Sequence, residues 1–228
     1  MTYNAKEEWT NGILNMPNMT YTSEYVIRIF KGKYPRLDLN KNFNNLKICD
    51  IGCGDGRNIP LLHECGFDTY GIELTDKIVE RVKQNLNKVN LPDVVVKVGS
   101  NNHIPFDDEF FDYLLAWNTC YYMGDLQDFN EYIKEYARVL KKRGYLVLSI
   151  PKKTCFIYHD SERIDGGRAI IRSDPFNMRN GEILRIFENE AEIEKVFSSY
   201  FDNFIFASVH DDCFGFDYHW HLVVCQKK

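Results

Sequence analysis

Three glycines at alternate positions, Gly52, Gly54 and Gly56, follow a hydrophobic run that begins at Leu46. They stand in the stretch D-I-G-C-G-D-G, which begins with Asp50. Glycine has no Cβ atom, so a loop of this composition can adopt positive φ angles and approach another group closely. The pattern therefore predicts a loop that contacts a ligand.

A glycine-rich loop after a strand has several possible interpretations. A tight turn from strand to helix needs glycine for its backbone angles alone. A phosphate-binding loop of the type G-x-x-x-x-G-K-S/T is excluded because no Lys-Ser/Thr pair follows. The dinucleotide fingerprint G-x-G-x-x-G is excluded because Arg57 occupies the position of its third glycine. A glycine at every second position after an acidic residue remains to be explained.

The segments around this loop alternate between strand and helix patterns, which predicts an α/β fold with a mostly parallel sheet. Strands are predicted in L-K-I-C-D-I-G, F-D-T-Y-G-I-E, D-V-V-V-K-V-G, F-D-Y-L-L-A-W-N, Y-L-V-L-S-I, F-I-F-A-S-V-H and Y-H-W-H-L-V-V-C. Helices are predicted at about 57–65, 76–86, 128–140 (with Gly144 as the stop) and 190–201, and a short one between Ser23 and Gly32. Residues 1–20 show no sustained period and are predicted to form an irregular arm.

With these elements in place, the loop resembles the first motif of the class I S-adenosylmethionine-dependent methyltransferases, acidic-x-Gly-x-Gly-x-Gly. Later segments are similar to the same family in the expected order. Glu73 ends the second strand in Y-G-I-E-L, and the stretch from G-S-N-N-H-I-P-F to the fourth strand follows. R-V-L-K-K-R-G-Y-L-V-L-S-I-P then matches the turn before the fifth strand. The resemblance covers residues 46–151.

The resemblance implies a Rossmann-like, seven-stranded, mostly parallel sheet whose last strand is antiparallel, with S-adenosyl-L-methionine as cofactor and S-adenosyl-L-homocysteine as product. Glu73 is expected to accept both ribose hydroxyls. Ser100 replaces the family's adenine-binding aspartate, so Asn101 or Asn102 is expected to take that role. The implied cofactor residues are Asp50, Gly52, Gly54, Gly56, Glu73, Leu74, Ser100, Asn101, Asn102 and Asn118.

In this family the acceptor site is built from the N-terminal arm, the loop after strand four and the insertion after strand five. Residues 1–45 are therefore expected to form an arm and helix that act as a lid. Residues 46–228 form the methyltransferase domain, with a substrate-binding insertion at about 151–189. Basic residues concentrate in the insertion and predict a small anionic acceptor that bears phosphate or carboxylate, such as a metabolite or glycan precursor. The expected substrate-binding residues are Tyr21, Tyr121, Arg163, Arg168, Arg172 and Arg179.

Transfer to an oxygen or nitrogen requires a base where the acceptor is protonated, and histidine suits this role near neutral pH. His159 and His210 are the candidates, and Tyr122 joins them as a residue of the methyl channel. For Tyr121 and Tyr122, alternation predicts that at least one ring packs under the sheet. A metal site from His210, Asp211, His219 and His221 is an alternative use of the last strands. Because the family seldom needs a metal, no metal ligand is assigned.

The charge and cysteine content limit the partners. With 28 basic and 33 acidic residues, the net charge of −5 argues against a broad grip on nucleic acid. Seven cysteines without a C-x-x-C pair indicate reduced thiols and a cytoplasmic protein, expected as a monomer or homodimer without membrane contact. Two alternatives stay open: methylation of tRNA or protein, and a non-catalytic S-adenosylmethionine-binding protein.

Overall fold

The computed structural model describes residues 5–15, 21–124 and 128–228, and ten strands lie within these ranges. Seven of them form one central sheet, and three form a small second sheet. In chain order the strands are β1 (Lys47–Ile51), β2 (Asp68–Glu73), β3 (Val95–Val98), β4 (Phe111–Ala116), β5 (Leu140–Pro151), β6 (Ser161–Ile164), β7 (Arg168–Ile171), β8 (Ile183–Arg185), β9 (Phe201–Cys213) and β10 (Phe216–Lys227).

The central sheet has the strand order β3-β2-β1-β4-β5-β10-β9. Strands β1 to β5 pair in parallel, whereas β10 runs antiparallel to both β5 and β9. The central strands are buried on both faces, with Ile48, Leu114 and Leu146 fully inaccessible to solvent. The prediction of a seven-stranded, mostly parallel sheet with an antiparallel last strand is confirmed. The sheet also fixes the site, because the carboxyl ends of β1 to β4 meet at one edge.

Six α-helices lie within the described ranges: α1 (Ala5–Asn15), α2 (Glu24–Lys31), α3 (Ile59–Glu64), α4 (Asp76–Lys88), α5 (Asn130–Val139) and α6 (Glu190–Phe197). Helix α4 begins after Thr75, whose side chain accepts a hydrogen bond from the Ile78 amide, and it buries Val79, Val82 and Leu86. Pro60 lies in the first turn of α3, where its missing N–H is not needed. None of the described helices combines the length and apolar character needed to cross a membrane.

Two predicted elements differ from the structure. The irregular arm predicted over residues 1–20 contains helix α1, because Ile13 packs against α4 and the Arg81 guanidinium donates to the Leu14 carbonyl oxygen (3.0 Å). Part of that arm, residues 1–4 and 16–20, lies outside the described residues. Strand β5 begins at Leu140, directly after α5, rather than at Tyr145 beyond the predicted stop at Gly144, because Leu140 already pairs with Phe111 of β4. Tertiary pairing therefore overrides the local helical pattern.

The long segment after β5, residues 151–189, forms a small lobe. It contains a short 3-10 helix, Phe156–Tyr158, and the sheet β6-β7-β8. The lobe docks on the loop after β4, where the Arg185 amide donates to the Tyr121 carbonyl oxygen (2.8 Å) and the Met123 amide donates to that of Ile183 (2.9 Å). These bonds continue the sheet-like pairing between the lobe and the loop, so the lobe forms one wall of the space above the central sheet.

Candidate active site

A cavity of about 970 Å³ lies at the carboxyl ends of β1 to β4. Ile51, Glu73, Gly99 and Asn118 line it from the ends of these four strands. Helix α1 and the lobe close its sides, so the space is bounded by segments far apart in sequence. Its volume is in the upper range of pockets that hold drug-sized ligands, about 300–1,000 Å³.

The three glycines of the loop after β1 all have positive φ angles, but the space around them differs. A Cβ atom on Gly52 would lie 2.4 Å from Thr119 Oγ1, and one on Gly56 would lie 2.9 Å from a methyl of Val82. These two glycines permit packing within the protein. At Gly54, with φ of +63°, a Cβ atom would meet nothing within 4 Å. Gly54 thus has open space beside it, of the kind that a closely approaching ligand needs. Of the three glycines, Gly52 lines the cavity, whereas Gly54 and Gly56 lie outside its lining.

Glu73, at the end of β2, places a buried carboxyl group in the cavity wall. Its Oε1 accepts from the Gly54 amide (2.9 Å) and its Oε2 from the Leu74 amide (2.7 Å). The Trp9 indole also donates to this carboxylate. Burial raises the pKa of Glu73 to about 7, although the bonds from Leu74, Gly54 and Trp9 oppose the shift. Both oxygens are therefore fixed in orientation beside the glycine loop.

Asp50 lies under the same loop and is 1% exposed. Its Oδ2 has no hydrogen-bond partner among the described residues. Burial raises the pKa of Asp50 to about 8, and the hydrogen bond from Asn58 opposes this only in part. A buried, incompletely satisfied carboxyl group is costly to maintain, which is typical of functional sites.

The polar residues after β3 all line the cavity, but the structure separates their roles. The Asn101 amide is held inside the protein, since its Nδ2 donates to the Thr119 carbonyl oxygen (3.2 Å) and its Oδ1 accepts from the Tyr136 hydroxyl (2.6 Å). Ser100 donates to Asn102 Oδ1 (2.8 Å) at the more exposed end of the loop. Ser100 and Asn102 are thus better placed than Asn101 to meet the edge of a purine.

Asn118 follows β4 with a φ of +57°, an uncommon conformation for a residue other than glycine. Ser149 of β5 holds it there, because its hydroxyl donates to Asn118 Oδ1 (2.8 Å) and accepts from the Asn118 amide (2.7 Å). Asn118 and its neighbour Thr119 both line the cavity. This strained backbone conformation directs the loop after β4 across the edge formed by the carboxyl ends of the strands.

Tyr122 is the aromatic residue of the β4 loop that lines the cavity. Its hydroxyl accepts from Arg179 Nε (2.8 Å), and Arg179 also pairs with the buried Asp174 (2.9 Å). Burial raises the pKa of the Tyr122 phenol, against the opposing effect of the Arg179 guanidinium. Tyr121 instead stacks beneath Tyr122 in the core, with ring centroids 4.9 Å apart. Of the two tyrosines, only Tyr122 has its ring against the cavity.

The other predicted substrate-binding residues lie outside the lining of the cavity. Arg163 pairs with Glu188 (3.1 Å), Arg168 with Asp165 (2.8 Å), and Arg172 with Glu162. Tyr21 is 82% exposed. Carboxylates of the lobe and its flanks thus neutralise the basic cluster at the surface, and Arg179 alone is linked to the cavity, through Tyr122.

The two histidines predicted as bases are also outside the cavity lining. His159, at the end of the 3-10 helix, pairs with Asp217 of β10 (3.2 Å). His210 of β9 has its Nε2 2.6 Å from Lys152 Nζ. His159 of the lobe thus contacts the hairpin, and His210 of the hairpin contacts Lys152 of the lobe. Both rings lie between the lobe and the hairpin, away from the glycine loop.

The cavity lining also includes residues that the sequence did not indicate as site residues, among them Trp9, Thr119, Tyr132 and Glu182. Trp9 contacts the Tyr122 ring, with centroids 5.4 Å apart, and the Tyr132 hydroxyl donates to the Tyr122 carbonyl oxygen (2.6 Å). Glu182 is only 5% exposed. A buried carboxylate in an insertion and an aromatic residue in the arm were the available signals, but neither belongs to a motif.

Comparisons with known proteins agree with this geometry. A family model described as a methyltransferase domain matches residues 49–148. The chain is 30% identical over 144 residues to the ubiquinone biosynthesis O-methyltransferase of Pelagibacter ubique, covering 63% of this chain and 56% of that protein. The chain spans about half the length of the curated relatives it matches.

Solved structures show the same fold. A SAM-dependent methyltransferase from Methanosarcina mazei superposes with a TM-score of 0.64 at 22% identity, covering 84% of this chain and 99% of the other. The [4+2]-cyclase SpnF superposes with a TM-score of 0.66 at 15% identity, covering 96% and 93%. Because a cyclase shares the architecture, the fold alone does not define the reaction.

Proposed function

The chain belongs to the class I S-adenosylmethionine-dependent methyltransferase family, and we propose that it transfers a methyl group from S-adenosylmethionine to an oxygen or nitrogen of a small molecule. The observation that carries the proposal is a cavity that spans both the sheet edge and the lobe. It is continuous from Gly52 and Glu73 of the sheet edge to Tyr122 and Glu182 at the lobe. Such a cavity can hold a cofactor at one end and an acceptor at the other.

The residues at the sheet edge fit the cofactor. The gap at Gly54 allows close backbone approach, and the fixed carboxylate of Glu73 suits two vicinal hydroxyls. Ser100 and Asn102 are proposed to hydrogen-bond the adenine edge, and Asn118 is proposed to bind the amino-acid portion of the cofactor. When bound, the cofactor supplies a methyl group already activated by its sulfonium. The protein is then left with positioning the acceptor and excluding water.

Helix α1 is proposed as the lid of this site. Its Trp9 donates to Glu73 and packs on Tyr122, so it touches both ends of the cavity. Gly12 lies against Met178 of the lobe, where an added Cβ atom would be 2.9 Å from the Met178 methyl. Because Trp9 uses the carboxylate that the ribose needs, cofactor entry requires α1 to shift and release this bond.

Tyr122 is proposed to orient the acceptor. Arg179 Nε donates to the phenol oxygen, which leaves the phenol proton available to the cavity. The raised pKa keeps the phenol protonated at neutral pH, so Tyr122 serves as a hydrogen-bond donor to the acceptor. The base that removes a proton, where the acceptor carries one, is not assigned to His159 or His210, since both lie outside the cavity lining.

Of the arginines that the sequence predicts to bind an anionic acceptor, Arg179 is the one linked to the cavity, and its guanidinium is already paired with Asp174. Among the described residues the cavity is lined by Glu7 and Glu182 at its lobe and lid sides, with Lys6 as its basic residue. A phosphate- or carboxylate-bearing acceptor therefore stays a prediction. The O-methyltransferase name of the Pelagibacter relative supports oxygen as one acceptor atom.

The test is to incubate the purified chain with methyl-labelled S-adenosylmethionine and separate low-molecular-mass, RNA and protein fractions of a cell extract. Label is expected in the low-molecular-mass fraction. Tyr122→Phe is expected to lower turnover about 100-fold through lost positioning, with unchanged affinity for S-adenosylhomocysteine. Tyr34→Phe, at a 43% exposed surface site, is the matched control. Label in RNA or protein would favour the macromolecular alternative, and cofactor binding without label in any fraction would favour a non-catalytic binder.

A further inference from the structure

Outside the cavity, the β9–β10 hairpin gathers histidine and aspartate side chains on one face. Asp212 of β9 pairs directly with Asp217 of β10, and His210 pairs directly with His219. Residues two apart on a strand share a face, and directly paired residues have Cβ atoms about 4.5–5.5 Å apart. The backbone register alone therefore places these four side chains in one block.

Three of these side chains have ligand atoms close enough to share one ion. The ligand atoms of Asp212, Asp217 and His219 all lie within 4.8 Å of one another, the one such group within the described ranges. His219 Nε2 is 3.3 Å from Asp212 Oδ1, and His219 Nδ1 is 2.9 Å from the Thr154 hydroxyl. A metal-binding histidine commonly has its second ring nitrogen fixed by such a partner. Thr154 leaves Nε2 of His219 as the ligand atom.

Two further histidines lie beside this group without belonging to it. His159 Nε2 of the lobe is 3.2 Å from Asp217 Oδ2, so it is a competing partner of that carboxylate. His210 has a different role, because Lys152 Nζ lies 2.6 Å from its Nε2 and uses that nitrogen. The His210 ring packs on His219, with centroids 4.6 Å apart, and forms a wall of the group.

We propose that Asp212, Asp217 and His219 bind one divalent transition-metal ion, with zinc the best match. One imidazole nitrogen and two carboxylate oxygens are ligands that zinc accepts, and water completes its tetrahedral geometry. Magnesium and calcium prefer sets made of oxygen ligands. The site is separate from the proposed methyl-transfer cavity, which none of the three ligands lines. All three ligands belong to the β9–β10 hairpin, whereas Thr154, which holds His219 Nδ1, belongs to the lobe.

The test is calorimetric titration of zinc chloride into the full chain after removal of metal with a chelator. Wild type is expected to bind one zinc ion per chain. Asp217→Asn and His219→Ala are each expected to weaken binding at least as much as Thr154→Val, whose loss of the Nδ1 partner should cost about 10- to 100-fold. A zinc-dependent rise in the thermal midpoint, seen in wild type and absent from these variants, is the second readout.

Matched variants separate this site from other metal-binding groups. His63→Ala, at an exposed position of helix α3, and Cys213→Ser, an exposed thiol beside Asp212, are expected to keep wild-type zinc affinity. All variants should bind S-adenosylhomocysteine as wild type does, which also shows that they are folded. The proposal is overturned if wild type binds no zinc, or if Asp217→Asn and His219→Ala bind it as tightly as wild type.

Discussion

The two ends of the cavity differ in how far their buried charged groups are compensated. At the sheet edge, burial raises the pKa values of Glu73 and Asp50 to about 7 and about 8, and the charge of Arg57 near Asp50 opposes this only in part. At the lobe, Arg179 and Asp174 form an ion pair that holds Tyr122. The sheet edge thus keeps an electrostatic cost that a ligand can relieve, whereas the lobe end is neutralised and rigid before any ligand arrives.

This difference has a consequence for stability. Between their ordinary values near pH 4 and their raised values of about 7 and about 8, Glu73 and Asp50 hold more protons when folded than when unfolded. The free energy of unfolding therefore falls as pH rises through that interval. A cofactor that donates hydrogen bonds to Glu73 opposes this loss, so binding and stability are linked at the sheet edge.

The largest effect is expected from breaking the ion pair at the lobe. Arg179→Ala leaves the buried Asp174 without its guanidinium partner and Tyr122 without its donor. Breaking a buried ion pair in this way is expected to cost about 3–5 kcal/mol of unfolding free energy, measured by urea denaturation. The double variant Arg179→Met, Asp174→Leu is the control, and it should regain much of that stability. Equal loss in both would contradict the role assigned to the pair.

A smaller effect is expected from filling the gap at the sheet edge. Gly54→Ala adds a methyl group to the loop residue whose amide donates to Glu73 Oε1, where we propose that the cofactor approaches. Overpacking of about 1–3 kcal/mol is then expected to weaken S-adenosylhomocysteine binding about 10- to 100-fold. Gly215→Ala, in the turn of the β9–β10 hairpin, is matched, since both glycines have positive φ and open space around an added Cβ atom, and Gly215 does not line the cavity. Calorimetry should find Gly215→Ala close to wild type. Equal weakening in both variants would mean that backbone strain, rather than cofactor contact, explains the loss.

The smallest expected effect concerns the exposed arginines of the lobe. Arg163→Ala and Arg172→Ala each remove a surface ion pair and are expected to change stability by about 1 kcal/mol or less. Lys83→Ala, which removes the surface pair with Glu80 on α4, is the control. Turnover of the identified acceptor should be unaffected. A tenfold or greater loss of kcat/KM for either arginine variant would instead support the predicted anionic acceptor.

The sequence was most informative where short-range patterns decide the structure. Glycine spacing, the acidic residue that ends β2 and the strand–helix alternation were sufficient to predict the central sheet and the residues at its edge. Each of these features depends on residues that are close together in sequence. The start of α4 is an example, because Thr75 accepts a hydrogen bond from the amide of Ile78. The Glu73 position also follows from strand length, because β2 ends where its hydrophobic pattern ends.

The lobe end was less predictable because distant residues build it. Tyr122 and Arg179 are 57 positions apart, and Trp9 reaches Glu73 from a helix that is held by packing on α4. The arginines of the lobe were predicted to bind substrate from composition, but their partners, such as Glu188, become neighbours only after folding. His159 and His210 were chosen by residue type, but their neighbours Asp217 and Lys152 come close to them only after folding.

The most direct test of the central claim is calorimetric titration with S-adenosylhomocysteine at pH 6 and pH 8, comparing wild type with Glu73→Gln. The ribose hydroxyls donate to the carboxylate, so deprotonated Glu73 binds best. With a pKa of about 7, wild type should bind about tenfold more weakly at pH 6 than at pH 8. Glu73→Gln should bind weakly at both values and lose that dependence. Absence of binding by folded wild type, or an unchanged affinity and pH profile in Glu73→Gln, would contradict the assignment of this cavity to the cofactor.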